Sequence, residues 1–361
     1  FAKPQRRFML TYISKQLLYA LTVLIGVVIT VFLLFQGLPG DPARMTMGQR
    51  TDAATIENVN RELALDKPKW QQLLYYINDI SPLSVHELTN SNQNKYNYHT
   101  VITFGKYVLV VKSPYLRFSY QLQKPVSDML LQALPFTIVL AFLAILFASV
   151  FGIVLGTFAA LHQNTLLDRL LIFISVSGIS FPSFFSAILF QWIFAFVLAS
   201  ITHLPMTGNL YAYDLDGHTH LNIAAIILPV ITLGIRPLAV FTQLTRSAML
   251  DVLQMDFIRT ARAKGLNKWN IVWRHALRNA LNPVVTAISG WFAEMLAGAF
   301  FIELVFNWNG LGKLTVDALN KNDFPVVMGS VLIASTLFVV VNLLTDIVYG
   351  WIDPRIRSAR N

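Results

Sequence analysis

The sequence contains no cysteine. Disulfides and thiolate metal sites are therefore excluded, and every part of the chain must be held by ordinary packing. Charge is scarce as well: Asp, Glu, Lys and Arg make up 13% of 361 residues, against 55% hydrophobic. That balance lies far from a soluble domain and specifies an integral membrane protein. Acidic residues are the rarer sign, 19 against 28 basic, for a formal charge of +9. The cations cluster beside apolar runs, which points to anionic lipid headgroups and an acidic protein partner rather than to nucleic acid. Also missing are a GxxxxGK[ST] phosphate loop, a Ser-His-Asp set, paired catalytic carboxylates and zinc-ligand spacing. The chain is not expected to be an enzyme, to hydrolyse ATP or to bind a cofactor or metal.

What is present is a series of long apolar runs, and the expected fold is all-α, with six membrane-crossing helices. The first run, Thr11 to Phe35, is about 25 residues, enough at ~1.5 Å per residue to cross a ~30 Å hydrocarbon core. It is too long for a cleaved signal, lacks a small-residue cleavage site, and reads as a retained helix. Lys3, Arg6, Arg7 and Lys15 put residues 1–10 in the cytoplasm, and residues 11–36 form the first span. Residues 37–130 form a small extracytoplasmic element of mixed structure. It has helices over Ala53–Leu65 and Pro68–Asn78, then an insertion near 81–114 with a hairpin of Val101–Phe104 and Tyr107–Val111 about Gly105.

Residues 131–361 hold the remaining spans. In the second, Ala133–Leu161, Gly152 and Gly156 form a small-xxx-small face. The third, ending near Ser200, contains Gly178 and Pro182, which either bend it along a translocation path or mark a packing kink. Between Asn222 and Leu244 the fourth carries Arg236, and between Pro283 and Phe306 the fifth carries Glu294. A cation there costs roughly 2.5–3.5 kcal/mol, so the two residues either pair with each other or line a path. The sixth, Val326–Ile352, has Asp346 within reach of Arg355, and Arg355, Arg357 and Arg360 fix the C-terminus in the cytoplasm. His203, Asp214, Asp216, His218 and His220 share one polar loop without ligand spacing and read as solvated.

The stretch Asp256 to Pro283 stands out between these runs. Asp256 is placed to cap a helix that Gly265 ends, and Asn267 to cap a second, amphipathic one carrying Trp269, Val272, Trp273, Ala276 and Ala280. Arg259, Arg262, Lys264, Lys268, Arg274 and Arg278 make it basic and cytoplasmic. Ala261, Ala263 and Gly265, nearly without side chains, allow another protein close to the backbone. A basic helix on lipid would need the cations but not the small residues, so the segment 251–282 reads as a docking element.

TARAKGL followed by RHALRNALNP resembles the cytoplasmic loop of ATP-binding-cassette import permeases of the dipeptide and oligopeptide family. The resemblance extends over nearly the whole chain: MLTYISKQLL from Met9, LPGDPAR at Leu38–Arg44, ELALDKPKWQQ, PVSDMLLQALPFT, SGISFPSFF at Ser177–Phe185, LTRSAMLDVL, Glu303-Leu304-Val305-Phe306-Asn307-Trp308, Gly310-Leu311-Gly312 and DPRIR at Asp353–Arg357. It implies a permease of the bacterial cytoplasmic membrane working by alternating access. Its implied partners are a second, homologous permease, two ATPases that bind ATP and Mg, and an extracytoplasmic substrate-binding protein. Asp256, Arg259, Thr260, Ala261, Arg262, Ala263, Lys264, Gly265 and Leu266 would dock the ATPase. Arg236, Glu294, Gly178 and Pro182 are candidates for the path, and Glu303, Trp308, Gly310 and Gly312 for an outer gate. Two departures stand out: the 81–114 insertion, either a contact with the binding protein or decoration, and Asn309, where the family's WPGLG pattern has proline. Peptides are the implied substrate, with nickel, another small solute or export as the alternatives. A non-transporting scaffold and a secondary transporter are the other classes, although no repeat or coupling-ion set supports the latter.

Overall fold

The computed structural model describes residues 3–37, 57, 59–61, 63–213, 216 and 218–352. Leu38–Arg44, Asp214, Asp353–Arg357 and the proposed Asp346–Arg355 pair lie outside them, as does most of the first half of Ala53–Leu65.

In chain order the principal elements are α1 (Lys3–Gly37), α2 (Lys69–Ile80), β1 (Leu83–Glu87), α3 (Asn90–Tyr96), β2 (His99–Phe104), β3 (Tyr107–Val111) and α4 (Val126–Leu161). Then come α5 (Leu166–Ser180), α6 (Ser183–Phe190) with a π-helical continuation over Gln191–Val197, and α7 (Ile223–Leu253). After α8 (Asp256–Ala263), a short turn at Lys268–Asn270 and a π-helical segment Ile271–Ala276 lead into α9 (Leu277–Gly298). The chain closes with α10 (Phe300–Val305), α11 (Leu311–Asn320) and α12 (Phe324–Ile352). Among the described residues four helices are long and apolar enough to cross a membrane, over Ser14–Gln36, Val126–Leu161, Ile223–Leu253 and Phe324–Ile347, or five if α5 and α6 count as one span.

This differs from six uniform spans in two places. The third is broken: α5 and α6 meet at 109°. Pro182 forces the preceding residue out of the helical region, and Phe181 takes an extended conformation, with φ −87° and ψ 137°. The fifth, expected over 283–306, is divided at Ala299 (ψ 8°) into α9 and α10. Asn282, Ser289, Gly290 and Glu294 also dilute its apolar content.

The chain forms two compact units, Phe1–Leu134 with Leu314–Thr336 and Pro135–Lys313 with Leu337–Asn361. In the first, Val31, Phe32 and Phe35 of α1 pack with Tyr76 of α2 and with Phe324, Met328 and Leu332 of α12. The insertion is more than the expected hairpin: β1 joins it, giving an antiparallel sheet of order β1-β3-β2. Its polar stretch is the helix α3, capped by Thr89 and ended by Asn97 at φ +43°. Beneath the sheet Asp79 is buried; its carboxylate accepts from Tyr96 Oη at 2.9 Å and lies 3.5 Å from Arg117 Nε. Lys112 Nζ donates to the Asp79 carbonyl. Burial brings that ammonium down to about 8, Asp79 opposing and Lys95 assisting the shift.

In the second unit the expected glycine face does its work. A Cβ on Gly156 would stand 2.5 Å from the Thr242 carbonyl oxygen, and one on Gly152 2.8 Å from Phe241 Cβ. These two glycines let α4 and α7 approach backbone to backbone.

Candidate functional site

The basic segment 256–278 is built on its own chain. Ile258 and Ala261 of α8 are buried, in one cluster with Ala160 of α4, Met249 and Val252 of α7, and Leu277 and Ala280 of α9. Ile271 joins them, and so do Val272 and Ala276 of the expected helical period, with Trp273 partly buried against the cluster, whereas Trp269 of the same period is exposed. Ala261 therefore faces inward, and its small size seats α8 on its own core. Asp256, Arg259, Thr260, Arg262, Ala263, Lys264, Gly265 and Leu266 are exposed, with Lys268 and Trp269 beside them.

Two local readings change. Met255, not Asp256, is the N-cap, without a side-chain bond, and the Asp256 carboxylate instead lies 3.5 Å from Arg259 Nη1. The second helix is not separate: through its π-helical segment it runs directly into α9. Asn267 does cap it, accepting from Trp269 N–H at 3.2 Å. Gly265 ends α8 at φ +76°, and Leu266 N–H closes back on the Ala261 carbonyl at 3.3 Å.

A residue that the sequence reading passed over anchors this end of the unit. Arg246 of α7 donates Nε to Asp168 Oδ1 at 2.6 Å and Nη2 to Oδ2 at 2.8 Å, a bidentate pair with Asp168 buried at the start of α5. Asn164 N–H donates to the same carboxylate at 2.9 Å, and Thr165 Oγ1 accepts from Asp168 N–H. The signal was legible: Thr165-Leu166-Leu167-Asp168 is a capping pattern, Thr at the N-cap and a carboxylate three residues on.

The second cluster centres on Glu303, which is fully buried. Its carboxylate accepts from Thr137 Oγ1 at 2.6 Å, Gly312 N–H at 2.7 Å and Lys313 N–H at 3.1 Å. Thr137 Oγ1 in turn accepts from Leu311 N–H at 2.8 Å. Trp308, also buried, donates Nε1 to the Phe136 carbonyl at 3.0 Å. Gly310 and Gly312 are required by close approach: a Cβ on Gly310 would lie 2.5 Å from Glu303 Oε2, and one on Gly312 2.5 Å from Phe300 Cα. The structure thus brings Glu303, Trp308, Gly310 and Gly312 into one knot. Asn309 contributes what proline cannot, a backbone N–H that donates to Asn209 Oδ1 at 2.7 Å. Leu228 of α7 lies under this knot with Ile302 and Phe306, while Met249 and Val252 lie under α8. At ~1.5 Å per residue one continuous helix, α7, links the two clusters over about 30 Å.

The four path candidates sit on α5, at the break after it, on α7 and on α9. Gly178 is buried against Ile235 of α7, where a Cβ would lie 3.3 Å from Cγ1, and Pro182 marks the break after α5. Arg236 and Glu294 do not form the expected pair: Glu294 is exposed, whereas the guanidinium carbon of Arg236 lies 6.0 Å from the centroid of the Trp291 ring. Helical period gives which residues share a face, not how far two helices are rotated against each other, and here Trp291 takes the place beside Arg236. Among the described residues no three His, Asp or Glu side chains come together as metal ligands.

The family described as "Binding-protein-dependent transport system inner membrane component" matches residues 152–358, and its N-terminal counterpart, "Binding-prot-dependent transport system membrane comp, N-term", matches residues 9–141. The dipeptide transport system permease protein DppB of Alkalihalophilus pseudofirmus is 33% identical, covering 97% of this chain and 100% of the relative. A di/tripeptide transport system permease protein DppB of Pseudomonas aeruginosa is 34% identical over 98% of this chain and 100% of its own length. The glutathione transport system permease protein GsiC of Escherichia coli strain K12 is 36% identical over 97% and 99%. Among solved structures, an inward-facing MetNI methionine ABC transporter matches at TM-score 0.50 and 17% identity, covering 63% of this chain and 97% of that one, a likeness of fold. The chain accordingly belongs to the family of inner membrane components of binding-protein-dependent transport systems.

Proposed function

We propose that this chain is a permease subunit of an ATP-driven importer of dipeptides and short oligopeptides, with six spans and both termini in the cytoplasm. Two separate ATPases bind ATP and Mg, a second homologous permease completes the conduit, and an extracytoplasmic binding protein delivers the peptide. Relatives named for dipeptides, di/tripeptides and glutathione match this chain over nearly its full length, and all three names describe short peptides.

The observation that carries the mechanism is the two-faced α8. Its outer face offers Arg259, Arg262, Ala263 and Lys264 to an acidic groove, while Ile258 and Ala261 fix its inner face to the ends of α4, α7 and α9. Closure of the ATPases would therefore move these helices as a body, the link that alternating access needs. The Glu303 knot, at the far end of α7, keeps the outer end in one shape while the inner end moves. The exposed Val101, Ile102 and Phe104 of β2 offer the binding protein an apolar surface on the insertion.

The test is accumulation of a labelled dipeptide in vesicles containing the whole assembly. Uptake that needs both ATP and binding protein supports the reading; ATP hydrolysis without peptide uptake removes the substrate and leaves the docking role. Ala263→Glu tests docking directly, because position 263 is exposed and its backbone helical. ATPases that no longer copurify with a normally inserted chain are expected, and unchanged copurification and uptake would refute the docking face.

A further inference from the structure

Two neighbouring helices of the second unit treat their surroundings differently. The exposed residues of α4 include Leu131, Ile138, Phe142, Leu146, Val150 and Phe151, a face made for lipid. On α9 the exposed residues Asn282, Thr286, Gly290 and Glu294 recur every three or four positions, a polar stripe interrupted by Val285. A Cβ on Gly290 would meet nothing within 4 Å, so the stripe borders open space. Hydrocarbon does not tolerate such a face, so it must look onto water or another polar surface.

Arg236 of α7 stands beside it. Its Nε is buried without a hydrogen-bond partner, and its charged plane rests over Trp291. Glu294 is one helical turn beyond Trp291, with Cβ atoms about 5–6 Å apart at that spacing. A cation and a carboxylate thus stand on either side of Trp291, the first against its ring and the second one turn further along α9, and they form no ion pair with each other. The buried Nε of Arg236 is unfavourable without an acceptor, and Glu294, exposed on the open stripe, is accessible to a cation.

We infer that Arg236, Trp291 and Glu294 form a clamp for a zwitterion, the free carboxylate of a peptide meeting Arg236 and its free ammonium Glu294. Arg236 supplies the planar fork suited to a carboxylate. This rests on the peptide reading above and names which parts of the peptide the permease itself recognises.

The experiment uses the full assembly in vesicles and compares ATP-dependent uptake of labelled dialanine, its C-terminal amide and its N-acetyl derivative. Any preference of the binding protein is common to all permease variants, so it cancels when ratios are compared between them. Arg236→Gln is expected to reduce the dialanine-to-amide ratio about tenfold or more, the loss of one charge-assisted contact, while Arg236→Lys retains most of it. Glu294→Gln should leave that ratio alone and reduce the dialanine-to-acetyl ratio instead. Unchanged ratios in both neutral variants overturn the clamp while leaving peptide transport intact. If wild-type assembly takes up none of the three, peptide reading and clamp fall together. If both neutral variants release the ATPases or the second permease, the two charges belong to chain-to-chain packing and the clamp is overturned.

Discussion

Asp168 and Glu303 are both buried carboxylates at opposite ends of the same helical unit, yet they are satisfied by different means. Asp168 is held by a guanidinium, in a bidentate pair with Arg246. Glu303 is held by a hydroxyl and two backbone N–H groups, with no cation among its hydrogen-bond partners. The first arrangement ties two helices together by charge and has one removable partner. The second fixes a loop by its backbone, so Thr137 is the one partner that a side-chain mutation removes, and two backbone N–H donors stay behind. The end that carries the basic segment 256–278 is thus joined by a charge pair, and the other end by a knot of main chain.

That contrast predicts the ranking of substitutions. Arg246→Ala should have the largest effect, about 3–5 kcal/mol, because it leaves a buried carboxylate without its countercharge. Thermal unfolding of the purified protein in detergent would show it, and Asp168→Asn in the Arg246→Ala background should recover much of the loss. If the single variant unfolds normally, the pair is no clamp. Next come Gly310→Ala and Gly312→Ala, at about 1–3 kcal/mol each, since the new methyl must displace the Glu303 carboxylate or the backbone of Phe300. Gly290→Ala, where a Cβ meets nothing, serves as the neutral control in the same assay. Glu303→Gln should cost less, roughly 1–2 kcal/mol, since the amide oxygen can still accept from Gly312 and Lys313 and the hydroxyl of Thr137 can turn round to accept. An effect as large as that of Arg246→Ala would mean that the charge of Glu303, rather than its geometry, holds the loop.

The two regions were also unequally legible. The knot could be foreseen because its residues lie within ten positions of one another and its glycines have no other use so close to a carboxylate. Its anchor on α4, Thr137, could not, because a contact spanning more than 160 positions leaves no local trace. At the other end, period alone placed Val272, Ala276 and Ala280 on a buried face, but small size misled at Ala261, which packs inward instead of admitting a partner. The apolar runs located α1, α4, α7 and α12 because burial in lipid demands length, but α1 and α4 begin and α7 ends seven to nine residues beyond the expected spans, where the helix continues past the apolar run. The 109° break after α5 was marked by Pro182, but its size follows from how α5 packs on α7, through Gly178 and Ile235, which sequence does not contain. Arg236 and Glu294 were found as isolated charges, but not which of the two alternatives, a pair or separate positions, they would take, since hydropathy reports depth along a helix and not rotation about it.

The smallest predicted effect concerns Asn309, which stands where the WPGLG pattern that this stretch resembles has proline. Restoring the proline removes the N–H that donates to Asn209 Oδ1, so Asn309→Pro should destabilise by about 1 kcal/mol, the worth of one ordinary hydrogen bond. Asn209→Ala removes the same bond from the other side. If the bond is the whole cost, the double variant is no less stable than either single one, and the coupling measured by the cycle equals the bond. If the losses add, proline is acting on the turn itself, and the remaining Glu303 contacts tolerate less variation in that loop than a set of backbone bonds should. The first result would make Asn209 and Asn309 a local substitute for proline rigidity. It would also leave the contrast intact, with the Glu303 end absorbing changes that the charge-paired Asp168 end cannot.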